Sequence, residues 1–87
     1  MAYVNDRIDP AAWADFVRDH QVGEEITGRV AGLTGFGAFI EVAPGIWGVL
    51  HESDWGAPMP LGFEVRIRLA AIDVRGRRLL LKLAREG

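Results

Sequence analysis

Apolar residues fall at every second position in two stretches near the C-terminal end of this chain: Val65, Ile67, Leu69 and Ala71, then Leu79, Leu81 and Leu83. A period of two marks a β-strand with one buried face, because successive side chains leave a strand on opposite sides. The pattern predicts strands over Glu64–Asp73 and Arg78–Ala84, with Arg66 and Arg68 facing out. Val74-Arg75-Gly76-Arg77 turns the chain between them.

The same alternation recurs upstream. Ile26, Gly28 and Val30 share one face of a first strand, and Thr27, Arg29 and Ala31 share the other. A second strand is predicted over Phe36–Ala43, in which Ile40 and Val42 oppose Phe39 and Glu41. Ala43-Pro44-Gly45 is a turn, and Ile46–His51 returns as a third strand, forming a hairpin. Gly28 and Gly32 point to strong coiling or a bulge of the kind a small closed barrel needs. Residues 52–62 contain two prolines and two glycines and read as a loop with no regular element. Five short strands with tight turns give an all-β small barrel, a five-stranded OB-fold.

One short N-terminal α-helix precedes the barrel. Asp9 can cap its orphan amides, and Pro10 suits the first helical position. Ile8 and Trp13 are spaced for a hydrophobic staple. The helix is predicted to run to about His20 with Trp13, Phe16 and Val17 as a narrow apolar stripe. A helix this short is marginal alone, so the stripe is expected to dock on the rest of the domain. The organisation predicted is an N-terminal segment at 1–21 and a barrel domain at 22–87.

Composition narrows the function. The 87 residues contain no cysteine, which excludes a disulfide framework and thiolate metal sites. His20 and His51 are too few and too far apart in sequence for the usual metal sites, and no cofactor is expected. No apolar run approaches the ~20 residues of a membrane span, so no membrane partner and a cytoplasmic location are expected. No nucleophile–base pair or phosphate-binding loop opening a helix is evident, which argues against an enzyme. The net charge of −2 argues against binding nucleic acid by bulk electrostatics. Its distribution is uneven: residues 1–52 hold eight acidic and three basic groups, whereas residues 53–87 hold four acidic and seven basic. The C-terminal end is therefore a local basic patch on an acidic protein.

Phe39 shares a strand face with Glu41, so that face meets either water or a ligand, and a nucleobase is a common flat partner for an exposed aromatic ring. Packing of Phe39 under a loop or helix fits the same pattern.

Residues 22–84 resemble the S1 RNA-binding domain family, a ribosomal protein S1-like OB-fold. The resemblance runs through Val22-Gly23, Gly28-x-Val30, Phe36-Gly37-Ala38-Phe39-Ile40 and Gly48-Val49-Leu50-His51-x-Ser53. It continues through Gly62-x-x-Val65 and Ile72-Asp73 to Arg77-Arg78-Leu79-x-Leu81. Motif by motif, it implies Phe36, Phe39, His51, Asp73 and Arg77 as the RNA-contacting surface. Phe39 offers a stacking plane and His51 a ring to stack or a hydrogen bond. Arg77 suits phosphate or a base face, and Asp73 suits orienting Arg77 or accepting from a base or a 2′-hydroxyl.

Plainer roles fit several of these positions. Strict alternation sends Phe36 to the core side, so its exposure requires Gly37 to break the register. Asp73 and Arg77 also fit a structural ion pair across a turn. Arg75 and Arg78 read as solvated turn charges or secondary contacts, and Arg29, Arg66 and Arg68 as extensions of a groove. Trp47 and Trp55 fit either loop packing or added stacking surface.

The chain also departs from the family pattern. Glu52 stands where an apolar residue is usual, and the shortened, proline-containing loop argues for loss of the short helical turn common there. Leu80 and Lys82 replace serines, and Leu80 with Ile72 is expected to form an apolar patch for protein contact. The resemblance therefore implies a non-catalytic, sequence-tolerant module for single-stranded RNA, with the ribosome or RNA-processing proteins as partners. The competing expectation is an OB-fold protein-interaction or adaptor domain.

Overall fold

The computed structural model describes residues 9–54 and 60–84. Helix α1 spans Pro10–Asp19, and five strands follow: β1 (Glu25–Leu33), β2 (Gly37–Ala43), β3 (Ile46–His51), β4 (Glu64–Asp73) and β5 (Arg78–Leu83). They close into a barrel in the order β1-β2-β3-β5-β4. Every neighbouring pair is antiparallel except β3 with β5, which closes the barrel through the parallel partners Val49–Leu80 and Leu50–Leu81.

The inward positions of the strands form one core. Ile40, Leu50, Ile67, Leu69 and Leu81 are fully buried, joined by Val30, Ala38, Ile46, Val65 and Leu79. Each such aliphatic side chain contributes on the order of 1.5–3 kcal/mol by leaving water. The barrel is tight enough that position 48 has to be glycine. A Cβ there would stand 2.7 Å from Leu81 Cγ, inside van der Waals contact.

α1 lies across the end of the barrel that carries the β4–β5 turn. Trp13 and Phe16 join the core cluster and Val17 packs against it. The Trp13 indole N–H donates to the Val74 carbonyl in that turn at 3.1 Å. The apolar stripe thus docks within the chain, and the buried indole keeps a hydrogen-bond partner. Pro10 occupies the start of the helix, but the Asp9 side chain makes no capping hydrogen bond. The Trp13 N–H donates to the Asp9 carbonyl at 3.1 Å as the first bond of the helix, and the expected capping by the aspartate carboxylate is not formed. Ile8, the expected staple partner, lies outside the described residues.

Two local features differ from the alternation. The β4–β5 register slips between Leu69 and Ala71, leaving Ala70 as a bulge. Ala71 is consequently exposed rather than inward, and Ile72 turns toward the core, half-buried beside it. The expected Ile72–Leu80 patch does not form, because the two residues lie on opposite faces; Leu80 pairs with Ala71 instead. Among the described residues, the segment after β3 keeps a short 3-10 turn, Glu52–Asp54. Both prolines come later in the sequence, at 58 and 60, so neither removes an amide donor from Glu52–Asp54.

Candidate nucleic-acid interface

Thr34 shapes the entry to β2. Its hydroxyl oxygen accepts from the N–H groups of Phe36 at 3.2 Å and Gly37 at 3.0 Å, and it donates to the Gly37 carbonyl at 3.1 Å. This tight loop ends the inward–outward alternation one residue before the strand. Ala38 takes the core position, and Phe36, freed from it, is 38% exposed. The Phe36 carbonyl accepts from the Glu52 N–H at 2.9 Å, fastening the loop to the end of β3. Gly37 allows this approach. A Cβ at that position would overlap the Leu50 carbonyl oxygen.

β3 delivers His51 beside this loop, with Gly37 as its register partner. The Ser53 N–H donates to His51 Nδ1 at 3.3 Å, and the Ser53 hydroxyl lies 3.0 Å from the same nitrogen. Because Nδ1 accepts from an amide, the proton of the neutral ring sits on Nε2, which becomes a donor toward a ligand. Ser53 is thus a positioning residue within the His51-x-Ser53 motif.

The bulge at Ala70 brings the third contribution. In an uninterrupted β4, Asp73 would share the inward parity of Val65, Ile67 and Leu69. The extra residue turns it outward, opposite Arg78 on β5. Asp73 Oδ1 accepts from the Gly76 N–H at 3.0 Å, and Oδ2 pairs with Arg78 Nη2 at 3.0 Å. These two interactions, the amide first and the guanidinium second, hold the Asp73 carboxyl below its ordinary pKa.

Phe36, Val49, His51, Ala71, Asp73, Arg78, Leu79 and Leu80 line one open groove of about 430 Å³. Three of the five residues singled out in the sequence therefore meet there. Phe39 stands on the adjoining strand with Val49, a lining residue of the groove, as its register partner. It is half-buried, and its ring lies 6.2 Å from that of Trp47, tilted by 36°. Trp47, 39% exposed, widens the aromatic surface. Arg77 ends the β4–β5 turn in a left-handed conformation, with φ of 55°. The ion pair of Asp73 is with Arg78, one residue on from the arginine expected in that role.

The secondary arginines separate by location. Arg75 is exposed in the turn, Arg66 and Arg68 stand on the outer wall of β4, and Arg29 pairs with Glu64 at 3.7 Å. Val49, Ala71 and Leu80 were not singled out as site residues. Val49 shares the parity of His51 on β3, a signal present in the sequence. Ala71 could not be found that way, because its outward face depends on the bulge. Trp55 lies outside the described residues.

No protein-family model matches the chain. It is 35% identical over 78 residues to "Small ribosomal subunit protein bS1" of Neisseria meningitidis, covering 79% of this chain and 14% of that protein. It is 39% identical over 85 residues to the polyribonucleotide nucleotidyltransferase of Shouchella clausii, covering 83% of this chain and 12% of the relative. The chain thus spans only a small part of the length of these relatives. Among solved structures, GSP13 from Bacillus subtilis superposes with a TM-score of 0.65 at 26% identity, over 77% of this chain and 62% of that one. A chain of the a/eIF2alpha-aDim2p-rRNA complex from Pyrococcus horikoshii superposes with a TM-score of 0.67 at 23% identity, over 74% of this chain and 44% of that one, a likeness of fold.

Proposed function

This chain belongs to the S1 domain family, and we propose that it is a non-catalytic module that binds single-stranded RNA in the groove between Phe36, His51 and Asp73. The observation that carries this reading is the groove's composition. An apolar floor of Val49, Ala71 and Leu80 runs beside an aromatic ring and ends at an ion pair. Such a surface suits a base lying flat with its phosphate toward the rim.

Phe36 and Phe39 supply stacking planes, each worth roughly 1–3 kcal/mol per base. His51 offers its Nε2 proton to a base edge. Arg77 and Arg78 face the phosphate, while Asp73 orients Arg78 and keeps a carboxylate near a ribose hydroxyl. Stacking accepts any base, which supports a sequence-tolerant mode. The names of the relatives, a ribosomal subunit protein and a polyribonucleotide nucleotidyltransferase, support a ribosomal or RNA-processing setting in the cytoplasm.

Titration of the 15N-labelled protein with a short oligoribonucleotide tests the reading. The expected result is shifts confined to Phe36, Phe39, His51 and the Asp73–Arg78 turn, weakening as salt rises. Signals there that stay unmoved at low salt would overturn it.

A further inference from the structure

The outer wall of β4 and β5 continues past the groove, and its charges change sharply. The successive outward cross-strand pairs are Asp73–Arg78, Ala71–Leu80 and Arg68–Lys82. Arg66 follows on the same face of β4. The Ala70 bulge unites these residues, because without it Ala71 and Asp73 would face the core while Arg66 and Arg68 faced out. Leu80 is part of the groove, and Lys82 lies two residues further along β5, roughly 7 Å away.

Arg68 and Lys82 are like charges directly opposite one another, an arrangement that destabilises an antiparallel ladder. On its other side Arg68 is in register with Glu25 of β1. Arg66 is in register with Thr27, and its Nη1 lies 3.4 Å from the Thr27 hydroxyl. The nearby Glu64 is engaged by Arg29. Three cations therefore lie together on this wall, next to the groove. A phosphate backbone laid along it would meet all three, and the groove beside it is already shaped for bases.

We propose that Arg66, Arg68 and Lys82 form a second contact site, which takes the phosphate backbone of the strand whose bases occupy the groove. This extends the RNA reading above and rests on it. The bound strand then crosses the apolar floor at Leu80 and Ala71 and leaves along the β4–β5 wall. Affinity depends on strand length as a result: the groove holds a short oligonucleotide, and only a longer one reaches the three cations.

Binding of oligouridylates of about four and about twelve nucleotides, within the range of site sizes seen for OB folds, tests this for the wild type and the double variant Arg68→Gln/Lys82→Gln. The short strand is expected to bind both proteins equally, while the long strand loses affinity several-fold in the variant. The slope of log affinity against log salt for the long strand is expected to fall by about 1.4, at ~0.7 per single-strand phosphate contact. Thermal unfolding of the variant checks that the loss is read on a folded protein. The single variant Lys82→Glu sharpens the test, because it reverses the charge opposite Arg68: it is expected to weaken the long strand more than the double variant does and to leave the short strand unaffected. An unchanged long-strand affinity and slope would overturn the second site while leaving the groove intact, as would equal losses for both lengths. Failure of the wild type to bind either strand would overturn the groove reading and this one together.

Discussion

Trp13 and Phe16 are 5% and 4% exposed at one end of the barrel, where α1 presses them against the β4–β5 turn. Phe36 and Trp47, with similar rings, are 38% and 39% exposed on the outer wall. Ring chemistry does not separate the two groups. The first sits on a helix that can lie over an open barrel end, and its indole N–H finds a backbone carbonyl. The second stands on the outer side of the loop before β2 and of β3, whose inner face already fills the core, so more than a third of each residue stays exposed. A partly exposed aromatic residue can still offer ring surface to a flat ligand.

Truncation should separate the two regions most strongly at the helix. Trp13→Ala removes a large buried side chain and orphans the Val74 carbonyl, and is expected to destabilise the domain by roughly 3–5 kcal/mol. Thermal unfolding followed by circular dichroism checks this, and a melting temperature close to wild type would mean that α1 is not part of the folded unit. Gly37→Ala acts where fold and groove meet. Its Cβ would press on the Leu50 carbonyl, and forcing β2 from β3 is expected to cost about 1–3 kcal/mol. Loss of the Phe36 and His51 arrangement should accompany it, read as changed chemical shifts at both residues.

Phe36→Ala makes the opposite case. The melting temperature should stay near wild type, while RNA affinity drops by roughly 1–3 kcal/mol. Unfolding of this variant would place Phe36 with Trp13 rather than against it. The smallest effect concerns Asp73, whose pKa lies below its ordinary 3.8 in the folded protein. A group depressed on folding contributes stability that is complete above the unfolded value and is lost as pH falls through the folded one. Melting temperatures of the wild type and Asp73→Asn should therefore differ at neutral pH and converge as the solution is acidified below about pH 4. A gap that widens on acidification would contradict the hydrogen bonds assigned to this carboxylate.

Much of this architecture was legible residue by residue. The period of two located β4 and β5 because a half-buried strand imposes it locally, and turn residues such as Pro44-Gly45 mark where each strand stops. Phe39 could be placed on the outer face by parity with Glu41. Phe36 could be placed only conditionally, and the condition is met by the hydroxyl of Thr34, which gathers the neighbouring N–H groups. Ala71 and Ile72 were read onto the wrong faces, because alternation carries no mark of an inserted residue. The ion pair of Asp73 was read one residue short of Arg78 for the same reason, since it depends on which residues stand opposite across the ladder.

Local pattern alone sufficed for the strands, the buried side of most of them and the aromatic motif of β2, all properties set within a few residues of backbone. The Ala70 bulge, the burial of Trp13 against the partial exposure of Trp47, and the meeting of β2, β3, β4 and β5 in one groove came from the assembled barrel. Register is a relation between strands, not a property of one. Closing the barrel fixes it by the fit of distant side chains, and a shift of one residue moves a carboxylate from the core side to the binding face.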